Sequence, residues 1–140
     1  MLIGTVCFPG LPLVNPTIVS IVDDDQAVRT AIQTFVRSLG YKAAAFASAE
    51  DFLSAPECQT ADCLISDIQM PGMDGLELQH ELARQRPNLP IIFITAFPDE
   101  RVRQQAMDTG AACLLLKPYD GDALIGCLEK ALSGKPHGHA

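Results

Sequence analysis

DCLISDIQMPGMDG, residues 62–75, is an apolar run that ends in an acid and then breaks into a turn. Asp62 to Ser66 reads as a strand buried on both faces, because a short unbroken apolar run bounded by turn residues suits the interior of a parallel sheet. Pro71, Gly72 and Gly75 end that run, and the following segment, Leu76 to Gln85, puts Leu78 and Leu82 on one helical face. Strand, turn and helix in this order predict an α/β unit with Asp67 at the carboxyl end of its strand.

The same unit recurs on both sides. Thr17 to Val22 (TIVSIV) is a strand, and Asp25 opens a helix whose Val28, Ile32, Phe35, Val36 and Leu39 keep helical spacing until Gly40 supplies a left-handed stop. Tyr41 to Phe46 makes the second strand. Ser48 caps a helix over Ala49 to Ala55, with Asp51 at the capping-box position. Pro90 releases the fourth strand, Ile91 to Thr95 (IIFIT), which leads into a polar, exposed helix from Asp99 to Thr109 closed by Gly110. Ala112 to Leu116 (ACLLL) is the fifth strand, and Asp122 to Leu132 the fifth helix, with Leu124, Leu128, Ala131 and Leu132 turned to the core. Five such units predict an α/β fold: a doubly wound, five-stranded parallel sheet with five helices covering its two faces.

The chain has 140 residues, 48% hydrophobic and 19% charged, which suits one compact core. One domain is expected over residues 17–132, preceded by an N-terminal extension, 1–16, of poor order and followed by a polar tail or start of a linker, 133–140. Met1 to Val14 is apolar but lacks a basic n-region, and Pro9 and Pro12 interrupt it before any small-residue cleavage site. No apolar run is long enough to span a bilayer, so a cytoplasmic protein without a membrane partner is expected. A net charge of -7 speaks against direct nucleic-acid binding, which needs clustered Lys and Arg. The five cysteines, Cys7, Cys58, Cys63, Cys113 and Cys127, are odd in number and form no CxxC pair, so reduced and mostly buried thiols are expected. His80, His137 and His139 lack partners at metal spacing and read as silent surface groups.

In a doubly wound sheet, ligands bind beyond the carboxyl ends of the strands. The first strand delivers Asp23, Asp24 and Asp25 to that rim, the third Asp67, the fourth Thr95, and the fifth Lys117 followed by Pro118. Asp25 reads mainly as a helix cap and Asp74 as a solvated turn residue. Asp23, Asp24 and Asp67 repel one another, and a hard cation such as Mg²⁺, with Lys117 as an added ammonium, relieves the repulsion.

IVDDD at 21–25, SDIQMPGMDG at 66–75, FITA at 93–96 and LKP at 116–118 together resemble the response-regulator receiver domains of bacterial two-component signalling, over about Thr17 to Leu132. The resemblance implies a flavodoxin-like three-layer sandwich with strand order 2-1-3-4-5. It implies that Asp67 accepts a phosphoryl group, that Asp24 ligates Mg²⁺ directly and Asp23 through water, and that Gln69 offers its backbone carbonyl. Thr95 would hydrogen-bond the phosphoryl group, Lys117 would pair with it, and Pro118 would follow a cis peptide bond that aims the lysine.

The implied partners are a sensor histidine kinase and a downstream protein, or an effector domain absent from this chain. Output, or a homodimer, would use the face built from the fourth helix, fifth strand and fifth helix. Two positions bear on switching, the first of them a departure from the family pattern. Leu114 stands where an aromatic ring is usual, which leaves Tyr119 as the nearby aromatic; Phe97 occupies the position that governs water access to the phosphoryl group. A signalling module, not an enzyme, is the favoured class. A non-phosphorylated docking module with the same fold is one alternative. A Mg²⁺-dependent phosphohydrolase is another, although Ile68, Gln69 and Met70 supply no second acid after the nucleophile.

Overall fold

The computed structural model describes residues 17–133; the expected extension and the tail beyond Ser133 lie outside them. Five strands form one sheet: β1 (Ile18–Val22), β2 (Lys42–Phe46), β3 (Cys63–Asp67), β4 (Ile91–Thr95) and β5 (Cys113–Leu116). Every pairing is parallel, as the sequence pattern predicts, and the order is β2-β1-β3-β4-β5, as the resemblance implies.

The helices are α1 (Gln26–Ser38), α2 (Ala49–Ser54), α3 (Glu57–Thr60), α4 (Gly75–Gln85), α5 (Glu100–Asp108) and α6 (Gly121–Ser133). That makes six among the described residues, one more than expected. The extra element, α3, is a single turn too short to carry any periodicity. It starts behind Pro56, whose φ of -58° is already helical, and is tied down from α4's end, where Arg86 donates to the carbonyls of Cys58 at 2.6 Å and Ala61 at 3.0 Å.

Why these segments hold their forms is mostly local. Asp25 accepts from the N–H groups of Ala27 and Val28 and so caps α1, and Ser48 accepts from Asp51 N–H to cap α2. After α1 and α5, Gly40 at φ 100° and Gly110 at φ 109° take the left-handed conformation that closes both helices. Alternate strand residues face opposite ways, so the sheet divides two cores. Leu64, Ile91 and Phe93 pack with Phe52, Leu78 and Leu82 on one side. Ile65, Ile92 and Ile94 pack with Ile32, Val36 and Leu124 on the other. Each of these side chains contributes on the order of 1.5–3 kcal/mol by leaving water, and together they fix the strand ends as a rigid rim.

One expectation fails. Cys113 at the start of β5 and Cys127 in the middle of α6 are joined as a disulfide, with Cα atoms 5.9 Å apart. Sequence spacing hides the pair, because only the packing of α6 across the sheet brings residues 14 apart into register. Cys58 and Cys63 are buried, as expected, and Cys7 lies outside the described residues. Among the described residues no helix is long and apolar enough to cross a membrane.

Candidate functional site

The carboxyl ends of β1, β3, β4 and β5 bring Asp23, Asp24, Asp67, Thr95 and Lys117 to one rim. Asp67 closes β3 and is 9% exposed. Its Oδ1 accepts the Ile68 N–H at 2.7 Å, which leaves Oδ2 turned to Lys117 Nζ at 3.4 Å. Asp23 is buried; its Oδ1 accepts the Asp25 N–H at 2.9 Å, and its Oδ2 stands 3.5 Å from the same ammonium without a hydrogen bond. Asp24 beside it is exposed.

Burial raises the Asp23 carboxyl above the ordinary range, against the lowering effects of the Asp25 N–H and Lys117, and the Asp67 charge raises it further. Lys117 meets the converse balance. Burial would lower its ammonium, but the Asp23 and Asp67 carboxylates outweigh it and raise the group. The lysine is therefore held charged between two acids. Its own N–H donates to Thr95 O at 2.8 Å, and the Lys117–Pro118 peptide is cis, as the resemblance implies.

Each of the three acids offers a carboxylate oxygen within 4.8 Å of the others. Three carboxylates facing one ammonium leave a surplus of two negative charges, which a divalent cation neutralises. Oxygen-only donors and one sealed, unbonded carboxylate oxygen suit a hard ion of the Mg²⁺ kind. Gln69 makes a contact that the sequence did not reveal: its Oε1 accepts the Thr95 hydroxyl at 2.8 Å. Thr95 is buried and its oxygen in turn accepts the Phe97 N–H at 3.1 Å.

Other supporting residues went unread. Asp74 is more than a solvated turn residue: it caps α4 in a reciprocal capping box with Glu77. Gly75 is buried, and a Cβ there would stand 2.5 Å from the Asp67 carbonyl oxygen and 2.8 Å from Ile68 Cα, so the turn after the acid passes where only glycine fits. Glu50, from α2, accepts the Met73 N–H at 2.9 Å and pins the same turn. Arg29 of α1 donates to Asp23 O at 2.7 Å. The MPGMDG turn hinted at tight backbone but not at these partners.

Beside Thr95 lies a groove of about 350 Å³ between β4, β5 and α5, lined by Phe97, Val102, Leu114 and Leu116 among others. Phe97 is 59% exposed at its edge. Leu114 packs against one core and Tyr119 against the other, where burial pushes the Tyr119 phenol up against the lowering effect of Lys117. His80 is exposed, as read from the sequence.

The chain matches the family model described as response regulator receiver domain over residues 19–129. It is 38% identical over 120 residues to the response regulator protein TmoT of Ectopseudomonas mendocina, a match that covers 86% of this chain and 54% of that protein. This chain thus spans little more than half of that relative's length. Among solved structures, FixJ-N aligns at 32% identity with a TM-score of 0.78, covering 87% of this chain and 98% of that one. The response regulator StyR aligns at 37% identity with a TM-score of 0.78, covering 85% and 60% respectively.

Proposed function

The chain belongs to the response regulator receiver domain family, and on that premise we propose that it takes a phosphoryl group onto Asp67 from a sensor histidine kinase or a small phosphodonor. The observation that carries this reading is the Lys117 ammonium held between Asp67 Oδ2 and Asp23 Oδ2, at 3.4 and 3.5 Å, on a rim that also bears Asp24 and Thr95. Phosphoryl transfer to a carboxylate demands positioning and charge neutralisation more than covalent help. Lys117 supplies part of that neutralisation and orients Asp67 Oδ2 as the attacking atom.

Mg²⁺ would be held by Asp24 and Asp67 directly, by Asp23 through water and by the Gln69 carbonyl. Bound there, it would offset the remaining charge and orient phosphoryl oxygens. Every other part falls to the chain. Ile68 N–H fixes the Asp67 carboxylate, Gly75 lets the turn pass behind it, and Asp23 stays buried against Lys117.

The acyl phosphate adds strong acceptor oxygens at the rim. Thr95 would leave Gln69 to donate to them, drawing along the Phe97 N–H and the groove beside it. The surface of α5, β5 and α6 changes with it, the face formed by what the sequence counts as the fourth helix, fifth strand and fifth helix. That face would pass the signal to a protein partner, an effector domain or a second copy of the chain, in the cytoplasm. With Leu114 in place of a ring, Phe97, Pro118 and Tyr119 are the residues through which the shift would travel. Mass analysis after exposure to a small phosphodonor, set against Asp67→Asn, tests the assignment of the acceptor.

A further inference from the structure

We infer that Cys113 and Cys127 form a reversible redox-modification site, with soluble disulfides and dithiols as its reaction partners, which locks α6 onto β5. The two sulfurs are bonded across the interface between the sheet edge and its covering helix. Cys113 is half-buried and Cys127 buried, so the Cys113 side offers an attacking thiol the easier approach, with Cys127 as the leaving group.

The site is separate from the acidic rim. Cys113 sits at the amino end of β5 and Lys117 just past the carboxyl end, roughly 13 Å apart at the rise of a strand. Neither cysteine touches the phosphoryl acceptor, and the test below stands or falls independently of phosphorylation. The two sites are nonetheless joined through the chain. The ring closed by the disulfide runs from Cys113 to Cys127 and contains Lys117, the cis Lys117–Pro118 bond, Tyr119 and the first half of α6. Cross-linking a ring of that size removes conformational freedom from the unfolded chain and so makes opening of this segment costlier.

The chemistry balances with a low-molecular-weight disulfide as oxidant. The Cys113 thiolate attacks one of its sulfurs, forms a mixed disulfide and expels one thiolate. The Cys127 thiolate then attacks Cys113 Sγ and expels the second. Two protein thiols are oxidised, one small disulfide is reduced to two thiols, and the protons of the protein thiols end on the small ones. A dithiol runs the sequence backwards. In a reducing compartment, disulfides that do form are usually transient and regulatory, which is the behaviour assigned to this pair.

The test is a glutathione titration of the full chain, from reduced to oxidised buffer, quenched in acid, denatured and alkylated. Peptide mapping is expected to show Cys113 and Cys127 both alkylated at the reduced end and linked to each other at the oxidised end, with one transition between. The oxidised form should melt about 5–10 °C higher, and deuterium uptake across α6 should be slower. Cys113→Ser should abolish the linked peptide and the uptake difference; if that variant does not fold, the wild-type titration still decides. Both cysteines alkylated at every ratio would overturn the site. A link that persists at every ratio would overturn its reversibility, and equal α6 uptake in the two forms would overturn the lock.

Discussion

The Thr95 hydroxyl donates to Gln69 Oε1 at 2.8 Å, so the group that would greet a phosphoryl oxygen is already engaged with a side chain two residues past Asp67. On the proposed function, switching would exchange one hydrogen bond for another. A neutral hydrogen bond is worth about 0.5–1.5 kcal/mol net, small enough for a charged phosphoryl acceptor to win.

Gln69→Ala removes the competitor and keeps the backbone carbonyl at that position. Phosphorylated chain should accumulate roughly two- to ten-fold faster from a small phosphodonor, the range that one such hydrogen bond commands. Equal rates in stopped time courses would mean that the Gln69 contact does not restrain Thr95.

Phe97 stands beside Thr95 at the mouth of the groove, 59% exposed and with its N–H on the Thr95 oxygen. If Thr95 moves to the acyl phosphate as proposed, the Phe97 ring would be carried with it and would shield the phosphoryl group from water. Phospho-Asp67 should therefore outlast the same species in Phe97→Ala by several-fold, measured as the loss of the phosphoryl mass after the donor is removed. Identical decay would place the water barrier elsewhere.

Gly75→Ala would drive a Cβ to 2.5 Å from the Asp67 carbonyl oxygen and 2.8 Å from Ile68 Cα, both backbone atoms that cannot swing aside. Overpacking of this kind costs about 1–3 kcal/mol. Thermal unfolding should shift down by several degrees, and phosphorylation should slow because Asp67 is displaced. A variant that melts and reacts like the wild type would show that the turn after Asp67 has slack.

Glu50 gives a pH-dependent readout of the same turn. The Met73 N–H holds the Glu50 carboxyl below the usual Glu range. A depressed carboxyl favours the tied turn above the ordinary Glu range, and the tie is lost as pH falls through the lowered folded value. The Met73 amide signal in two-dimensional NMR should titrate below the ordinary value of 4.5, and Glu50→Ala should erase that titration. A midpoint at or above the ordinary value would mean that the contact is not formed in solution.

Strand ends, helix caps and the acidic rim were legible because each depends on local residue chemistry. IIFIT fixes β4 at the bounds predicted from its unbroken apolar run, and Asp25 and Ser48 cap the helices read from them. What escaped depends on contacts between distant residues. The turn Glu57–Thr60 has too few residues to show a period and rests on Arg86. Cys113 and Cys127 looked like members of an odd set of thiols until α6 was laid on β5. Thr95 ends β4 where the apolar run stops, yet its bond to Gln69 required both loops to be in place.

The most direct measurement is intact mass of the chain after incubation with acetyl phosphate and Mg²⁺, run beside Asp67→Asn and beside a sample containing excess chelator. The account predicts one added phosphoryl group on the wild type, assigned to Asp67 by peptide mapping, with none on the variant and little in the chelated sample. A phosphoryl group on Asp67→Asn equal to that on the wild type, or a wild type that gains no mass with Mg²⁺ present, would contradict it.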